Sequence, residues 1–549
     1  MFTARISSQK IDRPRIDPEF YSPEKLEALK WLDVWRDRLV SLEQLSPKIT
    51  DGTHVTPDYV PTGIRFLSST NINCCTIDFQ KTQLISQLAH QELARSNCNP
   101  EHGDLLISKN GKIGTAAQYL ESHPPCSCFV SVALVRKPER IDRDYLAMFL
   151  NSKGGWSQFS RASKTGVITN LHLEEIREVE VVNCDPKTQQ YIGDKVRLAD
   201  RLRIKGNEWN ILAVSLLELL LRKEVSEEKV LDLLKCGNDL LKQLSATIML
   251  FNQNDGYGDK GATRKSRVVF RDMTERLDAG FYRPDFLRNA KELASCGLRL
   301  QQIDALCEKC NCGATPVDVE YEQDGQGLIR TSDVRPNRFN DKTVMRTRRL
   351  NVDCDSPLAA LAGDFLYTMS GTIGYAAVIP ETTEIFSFSN TIARARIAPP
   401  NNPWFVAAFF NSSMGYKQSL RLTSGGIQGH VMPNPFKRLW VPLPDPRIQD
   451  FIGGKLQVAD TVSRLSKRLV ASAKLLVEAL IERNVTENEL IHAQMRLEQG
   501  DESADRAILS RLFEGGLDAT ETRPLFPDLD AYYQTLQMVE RETVEVTAK

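Results

Sequence analysis

An α+β fold is predicted by three features of the sequence: two tandem mixed α/β domains, each followed by a long helix, with the two helices packing as an antiparallel coiled-coil-like pair. Phrases recur in one order about 260 residues apart. Each copy begins with short apolar or β-branched runs divided by Gly, Pro and Asn. Each copy ends in a long stretch of apolar residues at helical spacing. A period that long does not suit a solenoid and does suit duplicated domains.

The copies can be followed phrase by phrase. IDPEFYSPEKLEALKWL, from Ile16, answers LDAGFYRPDFLRNAKELA, from Leu277. GDLLISKNGKIG at 103–114 answers GDFLYTMSGTIG at 363–374. FVSVALVRKP, from Phe129, answers FSNTIARARIAPP, from Phe388, and RASKTGVITNLH, from Arg161, answers RLTSGGIQGHVM, from Arg421. DPKTQQYIGDKVRLADRL, from Asp185, answers DPRIQDFIGGKLQVADTV, from Asp445.

The elements follow in order. GIRFLSS, DLLIS, CFVSVALV and EVEVV read as strands between turns. DYLAMFLN, Asp144–Asn151, and its counterpart at Trp404–Asn411 read as short amphipathic helices. Asp185-Pro186 and Asp445-Pro446 supply a cap acceptor and a preset φ for the long helices. On a heptad frame, Ile192, Ala199, Gly206, Ala213 and Leu220 share one seam position of the first helix; Lys195, Leu202, Trp209 and Leu216 share the other. The second helix offers Ile452, Ala459, Ser466, Ala473 and Leu480, then Lys455, Val462, Leu469 and Leu476, in the same register. Apolar seams with small residues at alternate positions let two helices approach closely.

These readings divide the chain at 1–185, a first domain; 186–250, a long helix and helical extension; 251–275, a Gly/Asn/Lys-rich linker; 276–445, a second domain; 446–484, a second long helix; and 485–549, an acidic, partly helical C-terminal extension. That extension is expected to have no counterpart after the first half.

Hydrophobic content of 41%, charged content of 26% and a net charge of −1 are ordinary for a globular protein and give no global pull toward nucleic acid or membrane. MFTARISSQKIDRPRID carries no apolar export segment, so a cytoplasmic chain with reduced thiols is expected. The apolar run Leu216–Leu221 is far short of a membrane span. Cys307, Cys310 and Cys312 form C-x-x-C-x-C, but without a second pair or a nearby His they read as buried or half-buried thiols and not as a metal site.

No catalytic motif emerges. There is no phosphate-binding G-x-x-x-x-G-K-[ST], no dinucleotide fingerprint, no HEXXH and no G-x-S-x-G. Asn434-Pro435-Phe436 only approaches an amino-methyltransferase signature and reads as a loop. His54, in DGTHVTP, sits in a shaped turn without a triad. Basic and amide side chains do cluster in loops, where phosphate and base-edge contacts would need them. The candidates are Lys109, Asn110, Lys112, Arg161 and Lys164 in the first half, and Ser370, Thr372, Arg421 and Ser424 in the second. Arg335, Arg338, Arg346, Arg348 and Arg349 add to the second half.

Taken together, the Arg15–Tyr21 and Arg276–Tyr282 openings, DGTHVTP, the paired Gly-Asp…Gly-x-Ile-Gly phrases and the two Asp-Pro-then-helix segments resemble the DNA-specificity subunit of type I restriction–modification systems, over roughly 15–222 and 276–484. The resemblance implies two target recognition domains, each reading half of a bipartite site in double-stranded DNA. It implies helices that set the spacing and dock two methyltransferase subunits, with Ile192, Leu202, Trp209, Leu216, Ile452, Val462, Leu469 and Leu476 as the docking positions. S-adenosylmethionine is expected in the partner methyltransferase, with no catalytic residue, metal or cofactor in this chain. A restriction/translocase subunit can join such assemblies, and the long central and C-terminal extensions fit a variant defence system with other partners. Two competing readings are a nuclease or methyltransferase with unrecognised motifs, and a protein-interaction scaffold that never touches DNA.

Overall fold

The computed structural model describes residues 18–163, 169–235, 278–314, 321–348, 352–424, 429–519 and 522–547. The expected linker at 251–275, Lys164 and Arg349 lie outside them. The chain divides into two compact units, one formed by Met1–Arg203 with Arg464–Lys549 and the other by Ile204–Ser463. Each unit therefore joins the sheets of one repeat to the first part of its own long helix and the last part of the other repeat's helix.

The helices that matter are, in chain order, α1 (Arg143–Asn151), α2 (Lys153–Ala162), α3 (Pro186–Leu221), α4 (Glu227–Lys235), α5 (Pro403–Asn411), α6 (Ser413–Arg421), α7 (Pro446–Ile481), α8 (Glu487–Glu498), α9 (Ser503–Leu509) and α10 (Leu529–Thr547). The long helices α3 and α7 start at 186 and 446, an offset of 260 residues. Equivalent strands start 258 to 262 residues apart. In the first repeat β1 (Ile49–Asp51), β2 (Tyr59–Leu67), β3 (Gln83–Ile85), β4 (Leu105–Ser108), β5 (Ala116–Gln118), β6 (Cys126–Cys128) and β7 (Val132–Val135) build two sheets. One is antiparallel in the order β1-β7-β4-β5; the other runs β3-β2-β6, with β2 and β6 parallel. In the second repeat β8 (Cys307–Cys312), β9 (Tyr321–Ile329), β10 (Met345–Thr347), β11 (Phe365–Thr368), β12 (Ala376–Val378), β13 (Ser387–Phe388) and β14 (Ile392–Ile397) repeat the plan as β8-β14-β11-β12 and β10-β9-β13.

Continuous apolar runs such as LLIS follow from burial on both faces of the larger sheet. Leu106, Ala117, Val132 and Leu134 pack with Leu67, Cys126 and Cys128 of the smaller sheet. In the second unit the opposite face carries Phe365, Tyr367, Ala376 and Val378, packed with the apolar helix α5 and with Ala213, Leu216, Leu217 and Leu220 of α3. Capping places the short helices. Asp142 and Asn402 accept the first free N–H groups of α1 and α5. At the other end, Asn151 and Asn411 bond both backbone groups of Ala116 and Ala376, fixing helix to strand.

Within each unit small residues of α3 and α7 make close contacts. In the first unit Ser466 Oγ donates to the Ala199 carbonyl at 2.6 Å. In the second, a Cβ on Gly206 would lie 2.8 Å from Val462 and 3.2 Å from the Ala459 carbonyl, so that contact tolerates no larger residue. All eight docking positions are at most 3% exposed, engaged inside the chain, so they are not surface for a partner. The seam lysines have their own partners: Lys455 lies 5.3 Å from the centre of the Trp209 ring, and Lys195 pairs with Asp505 at 2.5 Å.

Two expectations fail. The repeat does not end near residue 484. After α3 and α7 the chain turns with Lys223 at φ 60° and Arg483 at φ 61°, then enters α4 and α8. Glu227 accepts the backbone N–H of Asp445 at 2.6 Å, and Glu487 accepts that of Asp185 at 2.7 Å. Each helix after the turn thus begins with a glutamate that caps a long helix start. RKEVSEEKV at 222–230 and ERNVTENEL at 482–490 share too few residues for this to be legible without the backbone. Asn434-Pro435-Phe436 also forms a helical turn, Pro433–Lys437, because Pro433 sits at the first helical position and Phe436 is fully buried.

The described part of the C-terminal extension packs against the rest of the first unit. Leu490, Leu509, Leu512 and Tyr533 are buried, and Asp505 accepts from Tyr191 and Tyr533 besides Lys195. Burial pushes the Asp505 carboxyl up, but the Lys195 ammonium and the tyrosine hydroxyls outweigh it and hold it below its ordinary value. Among the described residues no helix is long and apolar enough to cross a membrane.

Asp505→Ala is expected to lower the unfolding free energy by about 3–5 kcal/mol, since Lys195 is left charged and buried. Urea unfolding checks this. With its pKa depressed on folding, Asp505 adds stability that is complete above the ordinary carboxylate value. That stability is lost as pH falls through the lowered value, so the difference between native chain and variant shrinks in acid.

Candidate nucleic-acid interface

The two Gly-Asp phrases form equivalent hairpins, β4–β5 and β11–β12. Their glycines sit where only glycine is comfortable: Gly103, Gly111 and Gly114 at φ 89°, 71° and 75°, and Gly363, Gly371 and Gly374 at 82°, 71° and 84°. A hydroxyl staples each loop. Ser108 Oγ donates to the Lys112 carbonyl and accepts from Thr115 N–H at 3.0 Å; Thr368 Oγ1 donates to the Thr372 carbonyl and accepts from Tyr375 N–H at 3.0 Å. The buried aspartates anchor the base through Arg136, 2.6 Å from Asp104, and Arg396, 2.9 Å from Asp364. Single backbone bridges tie Asn110 to Asn170 and Ser370 to His430.

On this frame the tips project. Gly111 and Lys112 are exposed in one unit, Gly371 and Thr372 in the other, with Asn110 and Ser370 half-buried beside them. Ser424 is exposed and bridges to His430. The first tip therefore presents an ammonium and an amide, and the second presents hydroxyls beside an imidazole. His430, which carries no motif, is the member that sequence reasoning missed; only its pairing with Ser370 reveals it. His54 is 74% exposed, with its Nε2 3.6 Å from Asp51.

Three candidate residues turn out to be structural. Lys109 is buried and pairs with Asp51 at 2.6 Å. Its neighbour in sequence, Lys112, points out because the turn reverses between them. Arg161 stacks its guanidinium 3.9 Å from the Phe20 ring and donates Nε to the Phe20 carbonyl at 3.3 Å. Arg421 does the same at Phe281, at 4.1 Å and 3.1 Å. These arginines clamp the Phe-Tyr opening of each repeat. Arg346 and Arg348 pair with Glu384 and Glu322 at 2.7 Å and 2.9 Å, while Arg335 and Arg338 remain exposed.

The position of Lys109 shows how the copies diverged. Asp51 lies opposite Ala133, and Cys312 lies opposite Ala393 at the equivalent register. Where the first unit holds the Asp51–Lys109 ion pair, the second holds Cys312 and Met369, with their sulfurs 3.8 Å apart. Lys109→Met alone is expected to cost about 1–3 kcal/mol, because Asp51 loses its partner. Adding Asp51→Cys should recover most of that loss. A double-mutant cycle by denaturant unfolding measures the coupling.

No family model matches this sequence, and no curated protein does. Solved structures to which it is similar include the type I restriction–modification S subunit from M. genitalium, at 11% identity and TM-score 0.41, with 82% of this chain and 96% of that chain covered. Another comes from work on complex assembly and conformational transition of the type I R-M system, at 12% identity and TM-score 0.27, covering 81% and 96%. A third is the HsdS subunit from Thermoanaerobacter tengcongensis, at 13% identity and TM-score 0.24, covering 81% and 95%.

Proposed function

We propose that this chain is the non-catalytic DNA-specificity subunit of a type I restriction–modification system or a related methyltransferase-based defence system, working in the cytoplasm. One observation carries the reading: two copies of one domain share their hairpin frame hydrogen bond by hydrogen bond, yet present different side chains at the tip. A rigid frame with an exchangeable tip is what two recognition domains for an asymmetric, bipartite duplex site require. In this reading Asn110 and Lys112 face one half-site, and Ser370, Thr372, Ser424 and His430 face the other. The stapled backbone keeps each tip from collapsing before it meets a base edge.

The long helices act as the spacer. Each has 36 residues, which is about 54 Å at about 1.5 Å per residue, or about 16 base pairs of duplex. The small seam residues Ala199, Gly206, Ala459 and Ser466 support an antiparallel coiled-coil-like pair. Since the inward positions are filled, two methyltransferase subunits would dock on the outward faces, bring S-adenosylmethionine and methylate adenine; a restriction/translocase subunit would join them.

Single-molecule sequencing of methylated bases in host DNA, with and without this gene, is expected to show a two-part motif that disappears with the gene. An unchanged methylome overturns the proposal. For the reconstituted complex, log affinity for DNA carrying the motif should fall linearly with log salt. Lys112→Ala should weaken binding by about 1–3 kcal/mol and relax preference at one position of one half-site. Anisotropy titrations across substituted duplexes test this, and an equal loss on every sequence would make Lys112 a phosphate contact instead.

A further inference from the structure

The C-x-x-C-x-C run has no part in the reading above, and its geometry is unusual. In a regular strand, residues three apart point to opposite faces. Here β8 carries a bulge. Cys307 lies opposite Ile397, Lys309 opposite Arg396, Cys310 opposite Ala395 and Cys312 opposite Ala393. The extra residue, Glu308, restores the alternation, so the three cysteines fall opposite every second residue of β14 and share one face. Their packing agrees, since all three touch the core cluster that contains Ala393, Ala395 and Ile397. β8 is an edge strand, and the three thiols are half-buried, within reach of a small solute.

Two of the thiols are matched to each other. Cys307 and Cys310 interact side chain to side chain, and Cys307 Sγ also lies 2.9 Å from the Ile303 carbonyl, which holds its proton. The contact with Cys307 pulls the Cys310 thiol below its ordinary value; burial opposes this and Lys437 assists. Cys312 is turned elsewhere, toward Met369. Among the described residues no group of three or more His, Cys, Asp or Glu side chains is arranged to hold a metal ion. The other close pair, Cys74 and Cys75, occupies adjacent positions. Their Cα atoms are about 3.8 Å apart, closer than the range of about 4.4–6.8 Å that disulfides favour.

We propose that Cys307 and Cys310 form a redox-active dithiol that closes to a disulfide by exchange with a low-molecular-weight disulfide. The Cys310 thiolate attacks one sulfur of the small disulfide, forming a mixed disulfide and expelling one small thiolate. Cys307 then gives up its proton and attacks the Cys310 sulfur, expelling the second. Two protein thiols are oxidised, one small disulfide is reduced to two thiols, and the two protein protons end on those thiols. The bulge puts Cys307 on the same face as Cys310, the side from which it would attack the mixed disulfide.

The test uses the full chain, incubated with oxidised glutathione, quenched by alkylation and digested with trypsin under non-reducing conditions. Trypsin cuts after Lys309, so a Cys307–Cys310 bond holds together two peptides that otherwise separate. Exposed Cys354 reports that the reagent is active by accumulating glutathione. The expected result is the linked pair, lighter by two hydrogens, with at least tenfold less glutathione on Cys310 than on Cys354. Cys307→Ser should instead leave glutathione on Cys310. Linkage through Cys312, persistent glutathione on Cys310 of the native chain, or unmodified Cys307 and Cys310 while Cys354 reacts would each overturn the proposal; these readings need no variant to fold.

Discussion

Neither repeat completes its own core. In the second unit the sheet face lined by Phe365 and Tyr367 is covered by α5, by Ile448, Ile452 and Leu456 of α7, and by Leu216, Leu217 and Leu220, which belong to the first repeat. In the first unit the Ile481 carbonyl, from the end of α7, accepts Trp35 Nε1–H at 3.2 Å, and Lys153 N–H donates to Glu478 at 2.8 Å. Apolar burial of this kind is the main favourable term in folding. The continuity of α3 and α7 is therefore a folding requirement as well as a candidate spacer. The glutamate caps at Asp185 and Asp445 reinforce it, because each long helix starts against a helix that ends the other repeat.

This arrangement leaves the hairpin tips free to vary. Glycines at positive φ, a hydroxyl staple and a buried Asp–Arg pair set the backbone in both copies, and of these groups only Gly111 and Gly371, which carry no side chain, lie at the tip. The side chains at 110, 112, 370 and 372 can differ without altering the frame. Sites under the frame do not have that freedom. Replacement of the Asp51–Lys109 pair by Cys312 and Met369 changed both partners together, as expected when one buried charge alone would be stranded. Arg394 shows the same logic in reverse: it is 1% exposed, and its Nε lies 3.8 Å from Asp364, where the first repeat has the aliphatic Leu134.

Local chemistry also separates neighbouring residues of one type. Lys109 is buried while Lys112 is exposed. Cys307 and Cys310 face each other while Cys312 turns to Met369. A glycine turn separates the two lysines, and a one-residue bulge brings Cys307 onto the face that Cys310 and Cys312 already share. Neither event changes composition or periodicity enough to be read from the letters.

By itself the sequence determined the duplication, the strand-rich and helix-rich parts of each copy, the glycine frame of the hairpins and the apolar spacing of the long helices. Each rests on local rules of spacing, capping or φ that act over a few residues. Only the tertiary structure decided that Arg161 and Arg421 clamp Phe20 and Phe281, that Lys195 needs Asp505, and that α4 and α8 continue the repeat. It also decided that His430 joins Ser370, and that C-x-x-C on β8 shares a face. Those outcomes depend on partners 60 to more than 300 residues away, or on one inserted residue in a strand. Pairing at that distance is set by which buried charge or surface must be satisfied, and that is known only once the cores have formed.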